Sequence, residues 1–419
     1  MTMANQTTTI PKGWKTTTLN EMATLSKSQW NPGDKKQKYI GLEHINQGQL
    51  AINGFGNSLK LDSNKLYFKT GDVLFGKLRP YFRKVWRAKF DGICSTEIWV
   101  LRAKENNDQG FLFYFVANPI FIDKSMGASK GTHMPRADWD FLKNTEWNNP
   151  PLPEQRAIAA VLSSLDDKIE LLREENKILE ATAQTIFKEW FVNFNLPAVV
   201  LTKAGFHDGK IKMINSELGK IPEGWRVGGL IEDKISKFVK TNINKFGGTK
   251  DYVETANVNL SNFIGNFEKI TYEKRPSRAN MQPIVNSIWF ARMAESRKYL
   301  LFQEIDDHDI ETKILSTGFA GIEFVKEYLF FYWCFILSDI FNDLKKQYAE
   351  GAVQVAISNG GIQRIMLPLP PKKIADKFKE TVGLCFEKIS NNTFQIQTLS
   401  TLRDLLLPKL MKGELRVKI

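Results

Sequence analysis

The sequence predicts a mixed α/β (α+β) chain written twice: two related α/β domains, each followed by a long helix, the two helices pairing as an antiparallel coiled coil in a pseudo-twofold body. Three observations predict it. Short segments recur in the same order at a nearly constant offset, a proline cluster punctuates each half at the same point, and an unbroken heptad seam follows each cluster.

The repeats come first along the chain. Ile10-Pro11-Lys12-Gly13-Trp14 returns as Ile221-Pro222-Glu223-Gly224-Trp225, and Tyr39-Ile40 returns as Tyr252-Val253. Gly71-Asp72-Val73-Leu74-Phe75 matches Asn286-Ser287-Ile288-Trp289-Phe290, Ser95-Thr96 matches Ser316-Thr317, Leu112-Phe113-Tyr114 matches Leu329-Phe330-Phe331, and Pro150-Pro151 matches Pro370-Pro371. The six offsets stay within 211–221 residues. Any one pair is an ordinary turn or strand; their collinearity indicates duplication.

The prolines set the boundaries. Pro150-Pro151-Leu152-Pro153 can continue neither a helix nor a central strand, and Pro368, Pro370 and Pro371 repeat the signal. Behind the first cluster, Ile158, Leu162, Leu165, Ile169, Leu172, Asn176, Leu179, Ala183, Ile186 and Trp190 alternate steps of four and three. Behind the second, Val382, Cys385, Ile389, Asn392, Ile396, Leu399, Arg403, Leu406 and Leu410 do the same, with a polar residue at Arg403. Asn176 and Asn392 lie near the middle of their helices, so antiparallel pairing brings the amides together and fixes the register at some cost in stability. The expected segments are a first domain at 1–150, a long helix at 151–197, a linker and second domain at 198–370, and a second long helix at 371–419.

Composition narrows the function classes. In 419 residues, 42% hydrophobic, there is ample material for packed cores. Cys94, Cys334 and Cys385 show no pairing or CxxC spacing, so neither a disulfide framework nor a thiolate metal site is expected. The densest apolar run, Leu329–Leu337, is far short of a membrane span, and 1–9 is polar without a signal-peptide core. A soluble cytoplasmic protein is expected. The 58 Lys plus Arg exceed the 46 Asp plus Glu by 12, which suits an anionic partner.

Motifs that resemble catalytic ones lack parts. The stretch 71–78 fits G-x-x-x-x-G-K, but Leu78 stands where Ser or Thr would hold magnesium, and the segment reads as a strand. Asn149-Pro150-Pro151-Leu152 lacks the aromatic that would stack on a flipped base, and no glycine-rich cofactor turn precedes it. Gly127-Ala128-Ser129-Lys130-Gly131 fits G-x-S-x-G without a preceding strand or a matched acid and histidine. No metal ligand set or catalytic residue is assigned, and a self-contained DNA enzyme is disfavoured.

Charge is placed alike in both halves. Residues 72–89 carry Lys77, Arg79, Arg83, Lys84, Arg87 and Lys89 with one acid, interleaved with Tyr81, Phe82 and Trp86. The second half offers Lys274, Arg275, Arg278, Arg292, Arg297 and Lys298. Such clusters neutralise phosphates, and arginine forks onto guanine. Polar segments precede each proline cluster, Lys130, Thr132, His133 and Arg136 in one half and Gln354, Ser358 and Asn359 in the other, and these residue types read base edges. The halves agree in framework and differ in these readers, as recognition of an asymmetric two-part sequence requires. A solvated strand face and ordinary loops remain the alternative for these segments.

The Ile-Pro-x-Gly-Trp starts, the Gly-Asp-Val-Leu-Phe strand, Pro-Leu-Pro-Glu-Gln-Arg-Ala-Ile-Ala at 151–159, Phe187-x-x-Trp190-Phe191 and the 402–411 ending together resemble the DNA-specificity subunit of type I restriction–modification enzymes. The second copy departs from that pattern at Asn286-Ser287 and at Lys372-Lys373. The resemblance implies a bacterial or archaeal, non-catalytic subunit with two target-recognition domains on double-stranded DNA. The coiled coil would set the spacer between their half-sites. It further implies two modification subunits that carry S-adenosylmethionine and methylate adenine. Restriction subunits using ATP and Mg would complete the complex, and no cofactor would reside in this chain. A twofold DNA-binding scaffold or regulator without a methyltransferase partner is the alternative. Phe187, Phe191 and Phe194 are expected either to dock partners or to pack in the core.

Overall fold

The computed structural model describes residues 10–127, 134–204, 212–265, 267–351 and 355–418. It divides into two compact units, Met1–Leu171 with Gln395–Ile419, and Leu172–Phe394.

In unit one, an antiparallel sheet runs in the order Ala23–Leu25, Ile98–Ala103, Val73–Gly76, Val85–Arg87. A second sheet has the order Gln29–Trp30, Lys65–Phe68, Gly92–Cys94, Lys38–Ile40, Gly56–Asn57, with 38–40 and 92–94 parallel. A ribbon pairs Lys15–Thr18 with Glu146–Asn149. Helices α1 (Gln109–Ala117) and α2 (Pro119–Gly127) follow the first sheet, and α3 (Leu152–Phe187) begins after the prolines. The segment Gly-Phe-Leu-Phe-Tyr-Phe-Val-Ala of α1 is apolar on every face because every face is covered.

Unit two repeats the plan. Its first sheet has the order Ser236–Phe238, Phe319–Phe324, Ser287–Ala291, Tyr299–Phe302, and its second the order Glu268–Ile270, Lys250–Val253, Lys313–Ser316, Ala279–Met281, again with one parallel pair. Arg226–Gly229 pairs with Met366–Leu369. Helices α4 (Leu329–Leu337) and α5 (Asp339–Gln347) match α1 and α2, and α6 (Lys372–Lys412) follows the second prolines. The departure at Asn286-Ser287 has a local reason. Gly71 turns a left-handed corner at φ +90°, and Asn286 takes its counterpart at φ 58°, as asparagine tolerates. Asp72, which accepts from Lys69 N and is forked by Arg102 at 2.7 and 2.8 Å, gives way to Ser287, whose Oγ accepts from Trp289 Nε1 at 2.8 Å.

The unit boundary falls inside both long helices, because each helix contributes one part to each core. In unit one, Ile158, Ala159 and Leu162 of α3 share a core with Leu407, Leu410 and Met411 of α6 and with α1. The segments run antiparallel: Glu154 meets Arg416, and Asp166 meets Arg403. In unit two Asn176 meets Asn392 and Phe187 meets Phe378, also antiparallel. Asn392 Nδ2 donates to Asn176 Oδ1 and to Glu175 Oε2, both at 2.9 Å. After Phe187 the first helix ends in a π-helical turn, Lys188–Val192. Phe187 and Phe191 are buried in the core of unit two and Phe194 is packed against it, which removes them as a docking surface.

Candidate nucleic-acid interface

In each unit the central hairpin of the first sheet turns through a short loop, 77–84 in unit one and 292–298 in unit two. Both loops are fastened to the segment before the proline cluster. Leu78 bridges Arg136, Arg79 N donates to Pro135 O at 2.8 Å, and Ala137 N donates to Lys77 O at 2.9 Å. Met293 bridges Ala356, Ala294 N donates to Val355 O at 2.9 Å, and Ile357 N donates to Arg292 O at 2.9 Å. The hairpin loop thus lies beside the described part of the polar segment, Arg136 in unit one and Asn359, which accepts from Arg292, in unit two. Lys130, Thr132, His133 and Gln354 lie outside the described residues.

The basic side chains divide into held and open ones. Lys84 Nζ donates to Leu42 O at 2.6 Å, and its counterpart Lys298 Nζ donates to Thr255 O at 2.5 Å. Burial holds both ammonium groups below the usual lysine range. They are paired struts from the hairpin to the turn after the Tyr-bearing strand. Arg292 donates to Asn359 Oδ1 at 2.8 Å and to Ile357 O at 3.2 Å, and its burial lowers its pKa. Arg297 pairs with Asp339 at 2.6 Å, and that hydrogen bond raises its pKa. Arg136 pairs with Glu97 at 3.1 Å, and Arg275 donates to Tyr272 O at 2.5 Å while stacking on the Tyr272 ring. Arg83 points inward, with Nη2 3.4 Å from Ala117 O and 3.8 Å from Asp404 Oδ1. Ser358 caps the turn Asn359–Gln363 by accepting from Gly361 N at 3.1 Å. Lys77, Arg79 and Arg278 make no side-chain hydrogen bond or ion pair among the described residues. Their charges are not spent within the fold, and the same holds for the exposed Arg87 and Lys274, which leaves these cations to an incoming phosphate or base.

Sequence reasoning missed the polar closure of unit one. Glu154, 1% exposed, accepts from Trp14 Nε1 at 3.0 Å and from Arg416 Nε and Nη2 at 2.6 and 2.9 Å. Gln155 donates to Asn149 Oδ1 and Pro150 O and accepts from Asp108 N. The signal was the Glu-Gln inside an otherwise apolar proline motif. Asn149 is thereby buried as a structural amide, not offered to a base. Among the described residues no group of three His, Cys, Asp or Glu could hold a metal ion, and no helix is long and apolar enough to cross a membrane.

Residues 11–181 match the family model described as Type I restriction modification DNA specificity domain. The chain is 29% identical over 326 residues to the type I restriction enzyme MjaIX specificity subunit of Methanocaldococcus jannaschii, covering 74% of this chain and 69% of that one. It is 23% identical to the type I restriction enzyme HindI specificity subunit of Haemophilus influenzae, covering 90% and 95%. Among solved structures, the type I restriction-modification S subunit from M. genitalium is similar in fold, with a TM-score of 0.50 at 16% identity over 100% of this chain and 99% of that one.

Proposed function

We propose that the chain is a DNA-specificity subunit of a type I restriction–modification system and that its two units each read one part of a bipartite asymmetric DNA site. One observation carries the division of labour. The same loop-to-segment junction is built twice on one frame, with Lys77, Leu78, Arg79 and Arg136 at the first and Arg292, Met293, Ala294 and Ala356 in the matching places of the second. Equal frames with unequal side chains recognise two different short sequences.

Subunits of this family are generally non-catalytic, and the proposal assigns this chain no reaction. Two modification subunits with S-adenosylmethionine would supply adenine methylation, and restriction subunits with ATP and Mg would supply cleavage. The paired parts of α3 and α6 would set the spacer. Inserting four residues in each helix adds roughly 6 Å, or about two base pairs of spacer.

Methylome sequencing of a host expressing this chain with a neighbouring methyltransferase subunit tests the reading. A two-part adenine motif that disappears with this chain supports it, and exchanging residues 11–150 should change one part only. If no motif depends on the chain, a scaffold or regulatory role replaces specificity. If the spacer is unchanged by the insertions, the helices do not measure it.

A further inference from the structure

The loop 77–84 differs from its counterpart in backbone conformation. Arg79 and Arg83 both adopt the left-handed region, at φ 52° and 48°, and bracket the single turn Pro80–Phe82. No residue of 292–298 does so. Two side-chain-bearing residues in that region within five positions persist only where the surroundings hold them, and such strain collects at recognition sites.

The surroundings are specific. Arg79 N is fastened to Pro135 O, Arg83 N donates to Pro80 O at 2.8 Å, and the Pro80 ring is buried. The Arg83 side chain faces Asp404, which Arg403 grips through Nε and Nη2 at 3.0 Å. Arg403 in turn bonds Asp166, which accepts from Tyr114 at 2.7 Å. The turn is thus anchored through one chain of charges to the core of unit one. Its apex is left outside: Tyr81 is 46% exposed, with its ring edge-on to Phe82 at 4.6 Å and the open cations Lys77 and Arg79 in the same loop. A rigidly presented aromatic with a hydroxyl, among cations free for phosphate, suits entry into a groove of duplex DNA.

Building on the DNA-recognition reading above, we propose that Tyr81 determines specificity in unit one by contacting a base edge in a groove, and that Arg83 is the positioning residue that sets its angle. The test is the methylome of the complex carrying Tyr81→Ala, Arg83→Met or Arg83→Lys, with Met293→Ala as the control in the other loop. Tyr81→Ala should relax preference at one or more bases of a single part of the motif by tenfold or more and leave the other part intact. Arg83→Met should relax the same bases, Arg83→Lys should retain them, and melting temperatures of the Tyr81 variant should match wild type. Met293→Ala should leave that part unchanged. An unaltered motif with Tyr81→Ala overturns the proposal. So does uniform loss of methylation at every site, which marks Tyr81 as a contact for another protein. A wild-type chain on which no motif depends overturns the DNA-recognition reading itself and the proposal with it.

Discussion

The two units close the same frame with opposite chemistry. In unit one, Glu154 meets Arg416, and Asp166 meets Arg403, which is 2% exposed. At the offset of 220 that relates Pro150 to Pro370, the counterparts are Ile374, Leu196, Phe386 and Ala183, all buried, with Phe386 stacked on Phe330 at 4.9 Å. The backbone plan tolerates either solution. The apolar one needs only shape and volume, whereas the polar one needs every partner present, because a buried charge left alone is costly.

Replacing Arg403 by Ala breaks the comparison hardest. It takes the guanidinium away from Asp166 and Asp404 and leaves a cavity, so a loss of about 3–5 kcal/mol is expected in calorimetry. Importing the residues of unit two as Tyr114→Phe, Asp166→Phe and Arg403→Ala should recover more than half of that. A triple variant no more stable than Arg403→Ala would show that the two closures are not interchangeable.

A titration separates the units next. In unit two, burial raises the Asp306 carboxyl from 3.8 to about 6, against the lowering effect of Gln303 N and Ser390. A raised acid favours the folded state while protonated. Its contribution is complete below pH 3.8 and is lost as the pH rises through about 6. Asp306→Asn should therefore gain on the order of 2 kcal/mol at pH 7 over wild type and flatten the curve between pH 4 and 7, roughly. Retention of the wild-type slope in the variant would assign it to other groups.

The struts should behave alike in both halves. Lys84→Met and Lys298→Met are each expected to cost about 1–2 kcal/mol and to leave the salt dependence of DNA binding unchanged. Lys77→Met should instead cost little stability and reduce the salt slope by about one. Equal slopes for all three variants would erase the distinction between held and open cations. The smallest effect belongs to the helix register: Asn392 is fully buried with its Oδ1 unpartnered, so Asn176→Leu with Asn392→Leu should add on the order of 1 kcal/mol. A fall in melting temperature would mean that the amide pair stabilises more than it costs.

What the chain discloses before folding follows from periodicity. The heptad seams, the proline boundaries and the duplication are regular signals, and Ile158, Leu162, Ile169 and Val382 are buried where the pattern puts them. Arg403 stood out as a cation in an apolar seam, but its partner Asp166 lies 237 residues away, a separation no local pattern encodes. The same limit applies to the interface. A run of lysines and arginines reads identically whether each ends on a phosphate or on a carbonyl of its own fold, and only the tertiary structure separates Lys84 from Lys77. The left-handed corners at Arg79 and Arg83 were equally silent, since arginine carries no signature for that conformation.

The fastening of each hairpin loop has an evolutionary consequence. The bonds Arg79 N to Pro135 O, Ala137 N to Lys77 O, Ala294 N to Val355 O and Ile357 N to Arg292 O run from main chain to main chain. Such bonds are indifferent to side-chain identity. Where the side chain at such a position is not part of the core, as at Lys77 and the 41% exposed Val355, a substitution can change the surface without breaking the fastening, so a lineage that reads DNA here could drift between targets along a path of folded intermediates.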